Sequence, residues 1–454
     1  MEIVILGGGK LGQELCYDLN EDGHEITLID TDSVLVNKLV EELDIQGIIG
    51  SGTDIEILKQ ANIDICHAFI AVTDNDDVNL ISAHIASMLG APYIIIRARK
   101  LEYTKNEDFI AKNFKIDYVI NQDLEAATNI LHVIDYPTAS YVESLHNNEV
   151  QMIRFRVMPK SEIIGLSVKE VRSIVNDVVI CTIENRNTEE VIIPNGQTII
   201  EVDTYLNVIA SKEDYNKLVC LAGHKNNVHF KSAFILGGSR ICEYLLPELN
   251  KRKIRTRIIE LDNSRALGLA VSFPNNEVIL GDGTDPEFLL EHRLPNFDVA
   301  IALTDVDEEN LIFSLYSHSL GVKKNITRVN RTSLIKLLHA DNLDAIISPR
   351  VSISDAIIRR VRSLSHQNEY HLLEYARLST SKDSEVLEFI VSKKDKVCNQ
   401  KIMELNLDSR VLIGLIIRDG VKIIPKGSDY LLENDYVIVV DVKKRVRSLD
   451  EILK

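Results

Sequence analysis

Three glycines near the start of the chain have the spacing with which many proteins bind nucleotide phosphates. The motif Gly7-x-Gly9-x-x-Gly12 follows a short apolar run and opens a segment with helical spacing. An acid, Asp30, ends the next apolar run, about 20 residues further on, as the dinucleotide-binding fingerprint requires. The helix would present free N–H groups to the phosphates, and the carboxylate would accept hydrogen bonds from ribose hydroxyls. The spacing therefore predicts a site for NAD(H) or an adenosine nucleotide.

Each residue of this motif has a separate physical task. Gly7 makes the tight turn, Gly9 leaves room for the pyrophosphate, and Gly12 lets the helix pack closely on the sheet. Asp30 would repel a 2′-phosphate, which disfavours NADP. A tight turn that binds no ligand is the alternative interpretation.

Further candidate residues follow other predicted strands, at the sheet edge where open α/β sheets bind ligands. Thr73 and Asp74 come after the run AFIAV, and Arg97 comes after YIII. Gly52 and Thr53 follow the third strand and are small enough to admit an adenine ring. The alternatives are a helix cap at Thr73 and Asp74, a surface salt bridge at Arg97, and a helix-capping turn at Gly52 and Thr53.

The chain is one unit written twice, because its features recur in order about 230 residues later. IVILGGGKLG near the start returns as AFILGGSRIC, and the turn IPNG of residues 193–196 returns as IPKG at 424–427. The second copy supplies a parallel set of candidate binding residues: Gly237, Gly238, Ser239, Arg240, Ile241, Glu260, Thr304 and Asp305.

The second copy departs from the full glycine pattern. Ser239 stands where the first copy has Gly9, and Cys242 stands where it has Gly12. We expect Ser239 to crowd a pyrophosphate and Cys242 to push the helix off the sheet. Binding in the second copy is therefore expected to be weaker, altered or absent.

The pattern of elements predicts four domains. The front segments alternate apolar strands with helices, which indicates doubly wound parallel sheets of the Rossmann-like α/β class. The back segments are β-rich, with helices at 168–175 and 401–407, and predict small α+β domains. The expected bounds are 1–135, 136–222, 232–360 and 361–454, with a polar linker at 222–227.

Composition and charge bear on the partners and the cellular compartment of the protein. The net charge of −17 and the lack of a basic run argue against a nucleic-acid partner. The longest stretch without Lys, Arg, Asp or Glu, 78–96, is broken by Gly90-Ala91-Pro92, so no membrane span is expected, and no signal peptide is expected at the start. Six scattered cysteines are expected to be reduced thiols, mostly buried, which places the chain in the cytosol.

No residue set predicts catalysis or metal binding. The back segments have no paired His/Cys spacing and no nucleophile motif. A dehydrogenase would need a substrate domain with an acid or base beside the nicotinamide, and none is apparent. Ligand binding without turnover is therefore favoured, with an NAD-dependent oxidoreductase and a scaffold with vestigial sites as the alternatives.

These motifs resemble a known family. IVILGGGKLG, LIDTD, GSGTD, AVTDNDDVNL and IIIRARKLEY, followed by IIPNG, resemble a regulator-of-potassium-conductance unit (RCK or KTN) with its C-terminal companion domain. Two such units in one chain resemble the TrkA family, the regulatory subunits of Trk potassium uptake systems. The tandem order of the four segments is the specific part of the resemblance.

The resemblance implies a cytoplasmic protein, peripheral on the inner face of the membrane, that docks on a potassium-translocating subunit of the TrkH/TrkG type. It also implies a homo-oligomeric ring, a dimer or a tetramer, that binds NAD(H), with ATP and ADP as gating ligands. A nucleotide would then gate the partner by shifting the population of ring states. In this sequence the family's binding positions are Gly7, Gly8, Gly9, Lys10, Leu11, Asp30, Thr73, Asp74 and Arg97, and in the second copy residues 237–241, Glu260, Thr304 and Asp305.

Overall fold

The computed structural model describes residues 1–146, 149–186, 188, 190–224, 229–331, 334, 343–366, 372–378, 384–443 and 446–454. The predicted linker at 222–227 therefore lies outside the described residues from position 225 onward. Among the residues described, no helix combines the length and the apolar character that a membrane crossing needs.

The first front domain is built on a six-stranded parallel sheet with the strand order β3-β2-β1-β4-β5-β6. Its strands are β1 (Glu2–Leu6), β2 (Glu25–Asp30), β3 (Gln46–Ile49), β4 (Ala68–Ala71), β5 (Ile94–Arg97) and β6 (Tyr118–Ile120). Its helices are α1 (Lys10–Glu21), α2 (Ser33–Glu42), α3 (Ile55–Gln60), α4 (Asp76–Leu89), α5 (Leu101–Lys105), α6 (Glu107–Phe114) and α7 (Gln122–Asp135). The strand order reverses between β1 and β4, which opens a crevice at the carboxyl ends of these two strands.

The first back domain is a five-stranded antiparallel sheet with the order β10-β9-β11-β8-β7. Its strands are β7 (Tyr141–Leu145), β8 (Val150–Arg156), β9 (Val178–Asn185), β10 (Val191–Ile192) and β11 (Thr204–Ala210). Its helices are α8 (Val168–Ile174) and α9 (Lys212–Leu221), so the helix expected at 168–175 is present.

The second front domain repeats the first, with the parallel order β14-β13-β12-β15-β16-β17. Its strands are β12 (Ser232–Leu236), β13 (Arg255–Glu260), β14 (Glu277–Leu280), β15 (Val299–Ala302), β16 (Lys324–Arg328) and β17 (Ala345–Ile347). Its described helices are α10 (Arg240–Lys251), α11 (Asn263–Ser272), α12 (Pro286–Glu291), α13 (Asp307–Ser319) and α14 (Pro349–His366), with a 3₁₀ turn at Leu294–Asn296.

The second back domain is again antiparallel, with the order β18-β19-β22-β20-β21. Its strands are β18 (Leu372–Arg377), β19 (Ser384–Ile390), β20 (Val411–Arg418), β21 (Val421–Ile423) and β22 (Tyr436–Val442), with a 3₁₀ turn at Leu449–Ile452. The two parallel and two antiparallel sheets confirm the predicted fold class.

The helix predicted at 401–407 is wrong. Only Ile402–Glu404 is helical, as a single 3₁₀ turn. Isolated β-bridges join Lys401 to Tyr430 and Leu407 to Leu453, so the ends of this segment are extended. Pairing with other parts of the chain therefore overrides the local helical spacing.

The chain divides into two compact units. The first contains residues 1–126 and 348–361, and the second contains residues 127–347 and 362–454. The first unit thus combines the first front sheet with most of α14, a helix from the second half of the chain. Within this unit, Arg360 Nε donates to the Tyr93 hydroxyl over 2.7 Å, and the guanidinium lies 5.2 Å from the centre of the Tyr118 ring.

In the second unit the two antiparallel sheets share one apolar core. Leu145, Met152 and Cys181 of the first back domain pack in the same buried cluster as Leu415 and Ile438 of the second. The two back domains therefore bury apolar faces together, which explains the long apolar runs of β9, β20 and β22.

The cysteines match their expected burial. Four are buried and two, Cys220 and Cys398, are half-buried, and none of the six forms a disulfide. Burial raises the pKa of the Cys16 and Cys181 thiols to about 12. At neutral pH both are therefore protonated and pack as small apolar side chains.

We expect the second unit to lose stability on mild acidification, because it buries neutral histidines. Burial lowers the pKa of His224, whose Nε2 donates to the Arg156 carbonyl oxygen over 2.7 Å, and burial also lowers the pKa of His132. A lowered folded pKa means that stability is present above the ordinary histidine value of about 6.5 and is lost as the pH falls below it.

Thermal unfolding followed by circular dichroism between pH 8 and 5.5 would measure this effect. The melting temperature should fall by roughly 2–4 °C for each kcal/mol of stability lost. His224→Gln keeps an N–H donor but does not titrate, so its melting temperature should fall less over the same range. Equal slopes for the two proteins would contradict the assignment to His224.

Candidate functional site

The first glycine loop joins β1 to α1 and is shaped by close contacts. Gly7 has a φ of +103°, and a Cβ there would lie 2.9 Å from the backbone nitrogen of Thr73, which follows β4. A Cβ on Gly12 would lie 1.8 Å from the Gly7 carbonyl oxygen. A Cβ on Gly9 would meet nothing within 4 Å, so this glycine faces open space. Of the three motif glycines, only Gly7 and Gly12 are therefore required by packing, and Gly9 borders the space that a ligand would use.

The acid at the end of β2 is tied to this loop. Asp30 Oδ2 accepts the N–H of Gly8 over 2.6 Å, and Oδ1 accepts the N–H of Asp32 over 2.9 Å. Each carboxylate oxygen retains a second lone pair that a ribose hydroxyl can use. The structure thus brings Asp30 and the glycine loop together at one edge of the sheet.

The start of α1 offers backbone donors. Gly9 occupies the cap position without a side-chain hydrogen bond, so no side chain competes there for the first N–H groups of the helix. Lys10 is exposed, whereas Leu11 is only 5% exposed. Leu11 can therefore offer a ligand its backbone alone, while Lys10 can also offer a cation.

A buried amide holds the turn after β4 against the end of β5. Asn79 Oδ1 accepts from the Thr73 backbone and hydroxyl over 3.0 and 2.6 Å. Asn79 Nδ2 donates to the carbonyl oxygens of Thr73 and Arg97 over 3.0 and 2.9 Å. Asn79 is fully buried, so this network fixes Thr73 and Arg97 relative to each other. The site prediction missed Asn79, although the pair Asn79-Leu80 recurs as Asn310-Leu311.

Arg97 is the last residue of β5, and the salt bridge considered for it forms with Asp74, although its guanidinium is buried rather than on the surface. Its side chain is 8% exposed and binds Asp74 Oδ1 through Nη1 and Gln122 Oε1 through Nη2, each over 3.1 Å. Burial, and then the charge of Arg99, lower the pKa of Arg97. Its Nε is buried and has no hydrogen-bond partner among the described residues. The Asp74 side chain is 85% exposed. The buried Arg97 guanidinium is therefore paired with a carboxylate that is open to solvent at the sheet edge.

The Gly52 turn has a structural explanation. A Cβ on Gly52 would lie 2.2 Å from a methyl carbon of Leu6, so packing on β1 requires a glycine. The Thr53 hydroxyl lies 2.8 Å from that of Ser51, and Asp54 caps α3 by accepting the N–H of Glu56. These contacts favour the helix-capping turn, and the adenine-binding role of Gly52 and Thr53 stays a prediction.

The second copy repeats most of this geometry. Glu260 Oε2 accepts the N–H of Gly238 over 2.7 Å, as Asp30 does in the first copy. Asn310 is fully buried and binds the backbone of Thr304 and the carbonyl oxygen of Arg328. Arg328 Nη1 lies 2.7 Å from Asp305 Oδ1. The loop, the acid and the Thr–Asp turn thus meet at one sheet edge in each copy.

The expected displacement of the second helix is wrong. Cys242 is fully buried, and Leu245, Leu246 and Leu249 of α10 are also fully buried. The helix therefore stays packed on its sheet with a side chain where the first copy has Gly12. Arg240 is exposed and Ile241 is buried. In the first copy Lys10 is likewise exposed and Leu11 is likewise buried. Whether Ser239 crowds a ligand stays a prediction.

No metal site accompanies either copy within the part of the chain that the structure describes. The His, Cys, Asp and Glu residues there form no group of three or more that could hold a metal ion. Each sheet edge presents backbone N–H groups, an acid that accepts a hydrogen bond from the glycine loop, and a buried arginine.

Two family models match the chain, each of them twice. The TrkA-N domain matches residues 3–122 and 233–349, the two front domains. The TrkA-C domain matches residues 152–221 and 386–454, the two back domains. The internal repeat found in the sequence is thus a repeat of one domain pair.

Similar proteins match over their whole length. A Trk system potassium uptake protein TrkA homolog of Archaeoglobus fulgidus is 27% identical over 457 residues, covering 100% of both chains. The Trk system potassium uptake protein TrkA of Halomonas elongata is 28% identical, with 100% of this chain and 99% of the relative covered.

Solved structures share the fold. The RCK domain of GsuK superposes with a TM-score of 0.61 at 17% identity, covering 97% of this chain and 92% of that one. The GsuK channel bound to NAD gives a TM-score of 0.61 at 17% identity, covering 99% and 78%. At this level of identity the likeness shows the fold alone.

Proposed function

This chain belongs to the family of TrkA-N and TrkA-C domain proteins, and from that premise we propose that it is the nucleotide-binding regulatory subunit of a potassium uptake system. The observation that carries the proposal is the repeated site. In each copy a glycine loop, an acid and a turn that a buried asparagine binds meet at one sheet edge. The relatives that match over their full length are named as Trk system potassium uptake proteins, and these names support potassium uptake as the process that is regulated. We propose that its four domains extend over residues 1–135, 136–222, 232–360 and 361–454.

The ligand is NAD(H), with ATP and ADP as further gating ligands. Asp30 presents its carboxylate beside the loop, where it selects a free ribose and rejects a 2′-phosphate. Lys10 and the backbone N–H groups of Gly9 and Leu11 bind the phosphates, while the N–H of Gly8 is held by Asp30. GsuK structures bound to NAD and to ADP support nucleotides of this class.

The protein acts as a regulator and not as an enzyme. Each site presents backbone donors, a ribose-binding acid and a buried arginine, and the relatives are named as parts of an uptake system. The second candidate function is an NAD-dependent oxidoreductase, which the fingerprint with Asp30 favours. Sustained NADH production from a small hydroxy or amino acid would establish it in place of the regulator.

The partner is a membrane potassium-translocating subunit of the TrkH/TrkG type, on whose cytoplasmic side the protein assembles as a homo-oligomeric ring. A dimer or a tetramer of the chain would form the ring. A nucleotide gates the partner only by its difference in affinity for the two ring states, and a hundredfold difference is worth about 2.7 kcal/mol.

Two experiments test the proposal. Calorimetric titration of the full chain with NADH and with ATP should show binding, and Gly9→Asp should abolish it in the first site. Co-sedimentation with membranes should require the potassium-translocating subunit and should respond to nucleotide. A chain that binds no nucleotide, or that never associates with such membranes, would refute the proposal.

Asp30 is expected to set the choice between NADH and NADPH in the first site. In Asp30→Ser the NADH affinity should fall about tenfold, since a charged hydrogen bond to ribose is worth about 1.5–3 kcal/mol. NADPH, no longer repelled, should gain relative to NADH. Competition titrations measure both affinities, and Asp44→Ser, which removes an exposed carboxylate of the same domain, is the charge-matched control. An unchanged preference would rule out a ribose-binding role for Asp30.

A further inference from the structure

The second site contains an arginine that the first site lacks. Arg265, in the first turn of α11, donates from Nε to the Gly238 carbonyl oxygen over 2.5 Å. Its Nη1 lies 2.7 Å from a carboxylate oxygen of Glu243. In the first copy the aligned residues are Leu35 and Gln13, and Gln13 Nε2 makes the bond to the Gly8 carbonyl over 3.1 Å. The duplication has thus diverged at the glycine loop itself.

Two donors beside this loop have no acceptor among the described residues. Arg265 Nη2 and Ser239 Oγ are both buried without a hydrogen-bond partner. They belong to one place, because the Gly238 carbonyl that binds Arg265 is part of the peptide bond joining Gly238 to Ser239. A buried donor without an acceptor destabilises the folded protein. Such a cost is commonly retained where a ligand supplies the missing acceptors.

A phosphate group has the chemistry to satisfy these donors. It offers several strong acceptor oxygens, and a guanidinium can bind two of them at once. About a third of the Arg265 side chain is exposed, at 35%, while its Nη2 is buried, so a ligand reaches Nη2 when the guanidinium turns away from Glu243. Glu243 neutralises the arginine in their ion pair. A phosphate must therefore compete with Glu243 for it.

We propose that Arg265 is the phosphate-recognising residue of the second site, where its guanidinium exchanges Glu243 for a phosphate of an adenosine nucleotide. Ser239 donates its hydroxyl to the same phosphate. This inference rests on the proposed function and gives its second site a separate specificity. Because the exchange depends on phosphate charge, ATP gains more from Arg265 than NADH does. The first site, with Leu35, makes no such distinction.

The test uses the full chain with the first site silenced by Gly9→Asp. ATP and NADH are titrated into this protein and into two further variants that restore first-copy residues. Arg265→Leu should weaken ATP binding about tenfold or more and NADH binding much less. Glu243→Gln should strengthen ATP binding several-fold, because the guanidinium loses its internal competitor. Melting temperatures measured in parallel confirm that each variant is folded.

The opposite signs of the two substitutions separate recognition from structure. If Arg265 only braces the loop, both variants break the same ion pair and both weaken binding, which would overturn the inference. Nucleotide binding that Gly9→Asp abolishes entirely would also overturn it, while leaving the proposed function intact. A wild-type chain that binds no nucleotide would refute both. Tripolyphosphate that binds as tightly as ATP would refute recognition of a nucleotide.

Discussion

Asn79→Asp should destabilise the first front domain by about 3–5 kcal/mol and abolish nucleotide binding there. The asparagine is fully buried and makes four hydrogen bonds, two as an acceptor and two as a donor. An aspartate has nearly the same shape but keeps only the acceptors. The carbonyl oxygens of Thr73 and Arg97 would then face a carboxylate oxygen in place of an N–H group. Each unmet buried group costs about 1–3 kcal/mol, and a buried charge costs more.

Binding is lost for a positional reason. Asn79 contacts the backbone on both sides of the sheet edge, at the turn after β4 and at the end of β5. Without the Asn79 amide, Thr73 no longer keeps its position against Gly7, and the glycine loop loses this packing contact. Urea denaturation gives the free energy of unfolding, and NADH titration gives the affinity.

The second copy provides the matched control for this prediction. Asn310→Asp disrupts the same network in the second front domain and should leave the first site able to bind. Hydrogen exchange read by mass spectrometry should locate the loss of protection in residues 1–120 for one variant and 232–347 for the other. A first site that binds normally in Asn79→Asp would contradict the positioning role.

The sequence was sufficient to predict the fold because its signals are local. Runs such as EIVIL and AFIA are buried on both faces, so they appear as continuous apolar strands between amphipathic helices. The duplication then fixed the number of sheets. The glycine loop and Asp30 were predictable for the same reason, since a fixed spacing along the chain places them at one sheet edge.

What the sequence could not provide depends on contacts between distant residues. The sequence left open whether Arg97 reaches phosphates or forms a surface salt bridge, and it did not indicate that the guanidinium is buried beside Asp74 and Gln122. Asn79 lies inside a helix, where an asparagine usually marks a solvated face, and only its hydrogen bonds to Thr73 and Arg97 explain it. The pairing of Arg360 with Tyr93 joins residues far apart in sequence, and no periodicity encodes it.

The repeat could have supplied some of this information. A buried polar residue that keeps its place in both copies, as Asn79 and Asn310 do, must satisfy a requirement common to both domains. A position where the copies differ, such as Leu35 against Arg265, indicates a requirement of one domain only. Comparing the two copies therefore separates residues that build the site from residues that distinguish its ligands.

Gly12→Ala should reduce the NADH affinity of the first site about a hundredfold and destabilise the domain by about 1–3 kcal/mol. The added Cβ would lie 1.8 Å from the Gly7 carbonyl oxygen, far inside contact distance. Either α1 moves away from the sheet or the Gly7 peptide rotates, and both changes disturb the N–H groups that bind phosphate. Thermal unfolding and NADH titration measure the two effects.

Gly9→Ala is the control that separates binding from folding. Its Cβ meets nothing within 4 Å, so the melting temperature should be unchanged while a methyl group obstructs the phosphates. The second copy shows that a side chain can be accommodated at the position of Gly12, because Cys242 is fully buried there and α10 stays packed on its sheet. If Gly12→Ala binds NADH normally and keeps its melting temperature, the first loop can adopt the arrangement of the second. Gly12 would then not be what distinguishes the two sites, and the difference would rest on residues such as Ser239 and Arg265.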